Sequence, residues 1–564
     1  MKWFGGCGPG GRPVVPAGAR LIWDDPPLWT VGAWPDGRVR TVADGGTRLA
    51  VFGPCSADER DLARALVAPD LSTFGGAWAG THAIVRTGIS GQVEVLGDAA
   101  GACPVYTVRL PDGGVVWGSS SWALSGLTDA QVNKEWLAAY LLDVQADTGA
   151  SSAWTGVDLV PAGHQLTMPG GSVARVSSWW TIRRRPYGEA VGLLRDALVE
   201  GVRTRVQGVP TSSDVAGLDS STLAVLATHH GPVMGMTVHP AGNAEGGDVT
   251  YARELAKALP RLRHELFPLD ERHLPLSNAE RMLPATDEPA PSSSTWSRLS
   301  AQLEAIGRAG VLCHLTGDGG DTLFLPPPTH LCDLARAGNW GRLIVDAQSW
   351  ALLRRVSPWG LLKAAARRDR YALVGGGGAR PVWLSAAIPH HLTRAHKAEG
   401  LSDSVLLGEA HYVARSARTE QQLADIYGIE LHNPYLDGRI VDAVLSVGPQ
   451  YRCSTTRYKP LLADAVGPLL PYAVGHRQTK GVFVGEFHRG MRANLRRVIS
   501  LADGRLAGLG LVEPAPLRAA LHAAALGAKT AWPALLPVLN AEMWLAAIER
   551  SPSIEWHGIA ERAR

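Results

Sequence analysis

The chain has 564 residues, 46% of them hydrophobic and 19% charged, and a formal net charge of +3. A single core rarely grows past about 250–300 residues, so at least two domains are expected, and the charge is too slight for a general polyanion-binding surface. The six cysteines form no CxxC pair and no apolar run reaches membrane-spanning length, so neither a zinc knuckle, a disulfide framework nor a spanning helix is expected. The opening MKWFGGCGPGGRPVV has no apolar stretch of secretory length. A cytoplasmic chain with reduced thiols follows as the expectation, with no nucleic-acid and no membrane partner.

In chain order, residues 1 to about 180 read as strands and turns. Leu49–Phe52, His82–Arg86, Val93–Gly97 and Val115–Gly118 are short apolar runs separated by Gly, Asp and Pro, as at Pro111–Gly114. Helical patches are few: Ala57–Val67 and Lys134–Leu142. The tryptophans of this part, among them Trp29, Trp78 and Trp117, read as core. Basic Arg183–Arg185 before Pro186 reads as a solvated boundary. Beyond it, YGEAVGLLRDALVEGVRTRV has helical spacing, and a βα rhythm follows. A turn-rich stretch at Thr211–Ser221 leads into a helix at Ser221–Thr228. Pro232–Val238 reads as a strand, Val249–Leu259 and Gln302–Gly310 as helices, and Val311–Leu315 as a buried strand. Such alternation predicts a parallel, helix-covered sheet. The rest is Ala/Leu-rich and mostly helical, with a loop at Gly375–Gly378.

The stretch SSDVAGLDSSTLAVLA, Ser212–Ala227, carries the most chemistry. A small-residue turn running into a helix start offers backbone N–H groups and a helix dipole to an anion such as pyrophosphate. Gly217, Leu218, Ser220 and Ser221 would form that cradle. Asp219 repels phosphate unless a hard divalent cation lies between them. An ordinary N-capped helix, with Asp219 or Ser220 as cap, explains the same residues equally well. No Gly-Lys-Ser/Thr is present, so this is not a Walker loop.

GLDSS resembles the SGGxDS pyrophosphatase loop of the asparagine synthetase family, with Val215 and Ala216 in the places of the first Ser and Gly. LTGDGGDTLF, Leu315–Phe324, resembles that family's LSGEGADELF and brings in Gly317, Asp318 and Asp321. ELHNPYLDGRIVDAVLSV resembles ExRxPFLDxxLVEFALSL and places Glu430, with His432 for the usual Arg. RYKPLLADAVGPLLP and RQTKGVF resemble the blocks that carry Lys459 and Lys480. The resemblance implies ATP as substrate, Mg2+ held by Asp219 and Asp321, catalytic roles for Asp318 and Glu430 at the amine, and Lys459 and Lys480 facing phosphate. DVTYARELAKAL, with Asp248 and Tyr251, matches the segment between the first two blocks and is assigned to packing.

LGDAAGACPVYTVR, WGSSSWALSGL and LVPAGHQLTM extend the resemblance backwards into a class II glutamine amidotransferase-like domain. That chemistry needs a Cys directly after the initiator Met, whose own α-amine acts as base. Position 2 is Lys2, and Cys7 would serve only after removal of six residues. The implied organisation is an emptied amidotransferase-like (Ntn-type) β-rich α+β sandwich at 1–182 and an ATP-pyrophosphatase α/β domain with a parallel sheet and added helices at 186–564. Without glutaminase chemistry the amine need not be ammonia. Within the family the chain is most similar to lasso peptide cyclases. This implies adenylation of an Asp or Glu side chain of a leader-cleaved core peptide and closure by its N-terminal amine. A leader peptidase and a leader-binding protein are the implied partners. β-Lactam synthetase-like closure, ammonia-dependent asparagine synthesis and a non-catalytic scaffold are the alternatives.

Overall fold

The structure, a computed structural model, describes residues 1–170, 173–242, 245, 247–277, 283–374, 380–389, 392, 396, 398–471 and 484–558. The loop expected at Gly375–Gly378 and the candidate Lys480 lie outside the described residues.

The first part is built on two six-stranded antiparallel sheets. One runs Val157–Val160, Val105–Arg109, Val115–Gly118, Trp3–Cys7, Pro27–Val31, Arg20–Asp24. The other runs Arg175–Ser178, His164–Met168, Val93–Leu96, Ala83–Thr87, Thr47–Phe52, Val39–Asp44. Alternation along the strands sends one set of side chains between the sheets, where Phe4, Phe52, Val85, Val95 and Trp117 pack. The Phe4 and Phe52 rings stack at 4.2 Å. The opposite face of the second sheet, with Leu49, Val51 and Ile84, takes the helix Glu59–Val67 through Leu62, Ala65 and Leu66. That helix starts on a capping box in which Asp58 accepts from Asp61 N at 2.8 Å and Asp61 accepts from Asp58 N at 3.1 Å. The outer face of the first sheet, with Trp3 and Trp29, is covered by Lys134–Leu142 and by Trp532–Arg550 from the far end of the chain. Strand Trp556–Gly558 then pairs antiparallel with Val14–Pro16. The result is a helix–sheet–sheet–helix sandwich, the β-rich α+β arrangement that the resemblance implies.

The second part holds a five-stranded, all-parallel sheet in the order Leu262–Leu269, Val233–Pro240, Thr211–Asp214, Cys313–Leu315, Glu430–His432. Helices Tyr187–Val206, Leu218–Thr228 and Gly438–Ser446 share its core. Every residue of Leu218–Thr228 is buried, as a helix wedged between sheet and helices requires. The strand order turns back between Thr211–Asp214 and Cys313–Leu315. The crevice beyond the carboxyl ends of these two strands is where a doubly wound sheet offers a ligand site.

The two parts are clamped together. Buried Arg205 pairs with Asp437, whose carboxylate also accepts from Gly80 N and Thr81 Oγ1, both at 3.0 Å. The Arg183–Pro186 stretch is exposed at Arg183, Arg184 and Pro186, as expected, but two of its arginines are tied to the second part. Arg184 reaches Asp403 and the Leu445 and Val447 carbonyls, and Arg185 pairs with Asp442 at 2.8 Å. No helix among the described residues is long and apolar enough to cross a membrane.

Candidate active site

Two loops leave the crevice strands side by side. After Asp214 comes Val215, whose N–H donates to Met236 O at 2.8 Å and whose side chain is buried against Gly235. Ala216 is not among the residues with positive φ, so its place in a loop that usually carries Gly entails no left-handed strain. Gly217 caps the helix, and Ser220 Oγ accepts from the Ala216 and Gly217 N–H groups, each at 3.3 Å. Leu218 points into the core, so only its backbone belongs to the loop. Ser221 is fully buried beside the Tyr251 hydroxyl, which places Tyr251 as packing behind the loop.

The second loop, 316–320, is pressed onto the first. A Cβ on Gly317 would stand 2.8 Å from Ser220 N, and one on Gly320 would stand 2.4 Å from Asp219 Cγ. Gly319 has φ +89°, a conformation that favours glycine, and begins the short helix Gly320–Phe324. Tyr435 closes the assembly from behind by donating to Asp219 O at 3.0 Å.

This packing brings Asp219 and Asp321 to one point, where the Lys459 ammonium lies between them. It bonds Asp321 Oδ1 at 2.6 Å and also pairs with Asp219 Oδ2. Lys459 is fully buried and held at φ +45° before Pro460, a strained backbone that directs the ammonium between the acids. Two carboxylates converging on one cation-sized position form the hard-oxygen donor set that Mg2+ takes together with substrate phosphates. These residues therefore fit the ion.

Asp318 faces the other way. Its Oδ2 accepts from Thr316 Oγ1 at 2.9 Å, and Asn433 Nδ2 donates to Thr316 Oγ1 at 2.8 Å and to Asp318 Oδ2 at 3.4 Å. Two further groups here are absent from the sequence reading: Asn433, and Glu420 on helix Leu401–Ala424. Ser292 Oγ donates to Glu420, whose carboxyl is pushed up to about 8 by burial and by the charges of Asp318 and Asp214. A carboxyl in that range exchanges protons near neutral pH.

Glu430 sits at the start of the edge strand, three residues before Asn433. Arg38, from the first part, gives it a guanidinium at 2.9 Å, and Lys2 Nζ and His432 Nε2 each stand 3.5 Å away. Burial opposes the charge on Glu430, but these neighbours outweigh it and hold its carboxyl well below the usual range. His432 is pushed down to about 4, chiefly by burial. The arginine that the resemblance leads one to expect at 432 is thus matched in charge by Arg38. Lys2, Arg38 and Glu430 meet where the two parts join, and Lys2, Glu430 and Asn433 line a cavity of about 120 Å3 there. Cys7 is buried in its strand, its thiol pushed up to about 12 by burial, and it donates to Val14 O. It is no candidate nucleophile.

No curated protein matches the chain. A solved structure, glutamine phosphoribosylpyrophosphate amidotransferase from B. subtilis complexed with ADP and GMP, is 11% identical and covers 58% of this chain and 83% of that one, with a TM-score of 0.22. A likeness that loose carries no argument. The asparagine synthase family matches residues 193–546, which include both crevice loops, Lys459, Glu420 and Glu430. With well over half of its length so matched, the chain belongs to the asparagine synthase family of ATP-dependent, amide-bond-forming ligases.

Proposed function

We propose that this chain is a lasso peptide cyclase. It adenylates a side-chain carboxylate of a leader-cleaved peptide and closes a macrolactam with the peptide's own N-terminal amine. The observation that carries the reading is Lys2. Its ammonium lies 3.5 Å from Glu430 and 3.7 Å from Asp425, at the position where glutamine-dependent chemistry needs a cysteine. With no cysteine there the amine need not be ammonia from glutamine, and the acids and lysine that would meet ATP stand together. On this reading residues 1–182 form an emptied amidotransferase-like domain and 186–564 the synthetase domain. A leader peptidase and a leader-binding protein supply the substrate.

The residues divide the work. Mg2+, held by Asp219 and Asp321, would screen the phosphate charge, and the backbone N–H groups at Gly217–Ser220 would orient the pyrophosphate. The peptide carboxylate oxygen attacks the α-phosphorus and pyrophosphate leaves, with Lys459 and Lys480 meeting the charge that develops on it. The amine nitrogen then attacks the acyl carbon and AMP leaves. Asp318, braced by Thr316 and Asn433, positions that amine, and the nearby Glu420 carboxyl is matched to take its proton. Glu430 holds the adjoining wall through Arg38.

The test supplies ATP, Mg2+ and leader-cleaved peptides with Asp or Glu at the ring position. The expected product is the peptide lighter by one water, with AMP and pyrophosphate released in equal amounts. Asp318→Asn should keep peptide-dependent pyrophosphate exchange and lose the ring. Asparagine formation from aspartate and ammonium, with no peptide product, would overturn the reading.

A further inference from the structure

Helices Trp340–Arg354 and Pro358–Arg367 pack on each other with His330–Arg336 around a small core of their own. Leu343, Ala347 and Ala351 line the inner face of the first helix, and Leu361, Ala364 and Ala365 that of the second. With 3.6 residues per turn, the opposite faces carry Val345, Leu352 and Leu353 on one helix and Trp359 and Lys363 on the other. A surface helix normally turns mainly polar residues outward, and here large apolar side chains stand among them. Leu352 is 81% exposed, Trp359 77%, Val345 60% and Leu353 57%. Of nineteen large apolar side chains exposed among the described residues, nine fall between 340 and 374, so the exposure is concentrated rather than scattered.

The same surface carries surplus positive charge. Its acids are engaged. Asp346 pairs with His330 and Arg342, Asp333 accepts from Leu401 N and Ser402 N, and Asp369 accepts from Ala372 N. Arg354 and Arg370 are also engaged, at Leu373 O and Asp143. Arg355, Lys363, Arg367 and Arg368 are exposed and face no carboxylate on their own helices.

We propose that this face docks on an anionic lipid surface. Exposed aliphatic and indole side chains standing on helix backs, interleaved with long-stemmed cations, match the apolar-plus-anionic chemistry of a bilayer interface. A lipid surface also demands no partner of complementary shape. Such docking needs no spanning helix, so the lack of a membrane-spanning apolar run does not bear on it.

The experiment is vesicle co-sedimentation of the full chain. Wild type should bind phosphatidylglycerol/phosphatidylcholine vesicles, more weakly at high salt, and bind pure phosphatidylcholine poorly. Leu352→Glu/Trp359→Glu should weaken binding about tenfold or more, and Arg355→Gln/Arg367→Gln/Arg368→Gln by a similar factor, with circular dichroism unchanged. Absence of wild-type binding overturns the proposal. So does loss in the charge variant alone, which would mean electrostatic adsorption without apolar docking. Self-association of the wild type that Leu352→Glu/Trp359→Glu abolishes, with no vesicle binding, would assign the face to a second copy instead.

Discussion

Replacing Lys459 by Met keeps the volume and removes the charge, leaving Asp219 and Asp321 facing each other. Their oxygens both lie within 2.6 Å of the ammonium, so they stand no more than about 5 Å apart. At an effective dielectric near 20, two like charges at that separation repel by about 3 kcal/mol. The Asp321 side chain is 44% exposed and water screens it, so roughly half of this, about 1.5–2 kcal/mol, should be realised. Urea unfolding followed by tryptophan fluorescence should show that loss in Mg2+-free buffer. Adding Mg2+ should then restore stability to Lys459→Met by about 1.4 kcal/mol at ten times its Kd, because the divalent ion fills the position of the ammonium. The wild type should respond far less in the absence of ATP. Pyrophosphate exchange in Lys459→Met should fall on the order of 100-fold. An unchanged midpoint, or a midpoint indifferent to Mg2+, would refute the argument that the two acids share one cation position.

Gly320→Ala should displace the Asp219 carboxyl, since the new Cβ would stand 2.4 Å from its Cγ, and should cut pyrophosphate exchange by about 10- to 100-fold with the fold intact. Gly341→Ala, with open space around its Cβ, is the control and should be silent in the same assay. Asp437→Asn breaks the fully buried pair with Arg205 and should cost about 3 kcal/mol in urea, readable also as faster limited proteolysis. His330 gives a pH signature. Burial opposes its charge, but Asp346 at 3.3 Å and the Cys453 sulfur outweigh that and push it up to about 9. Its folded value lies above its unfolded one, so its stabilisation is complete below about pH 6.5 and is lost as pH rises through 9. Wild type should lose about 2–3 kcal/mol over that window relative to His330→Gln, and parallel curves would remove the group from the account.

The legible parts were those whose signal is local. Helices at Lys134–Leu142 and Tyr187–Val206 and the strand Val115–Gly118 fall at their expected bounds, because apolar spacing and turn residues mark both ends. The central strand Thr211–Asp214 reads as a turn because its side chains are polar. Only the fold shows Ser212 fully buried, its hydroxyl 2.7 Å from His314 Nδ1 on the neighbouring strand. Leu262–Leu269 gives no clear strand signal, as befits a sheet edge with a polar face and Pro268 inside it. In the candidate site, the two glycine-rich loops are contiguous and could be read directly. The approach of Lys459 to acids 240 and 138 residues away depends on tertiary packing, and only resemblance pointed to that lysine. Nothing local distinguishes Glu420 from other helix-borne acids, or Asn433 from a turn residue. Arg38 lies 392 residues from Glu430, and no pattern announces their pairing.

The pairing of Trp556–Gly558 with Val14–Pro16 bears on how the chain is made. The outer face of the first sheet, with Trp3 and Trp29, takes Lys134–Leu142 early and completes its cover only with Trp532–Arg550. At ribosomal speeds of roughly 5–20 residues per second, that helix emerges about half a minute to two minutes after the strands it protects. During that interval the nascent sandwich leaves part of an apolar sheet face open and waits for its last partner.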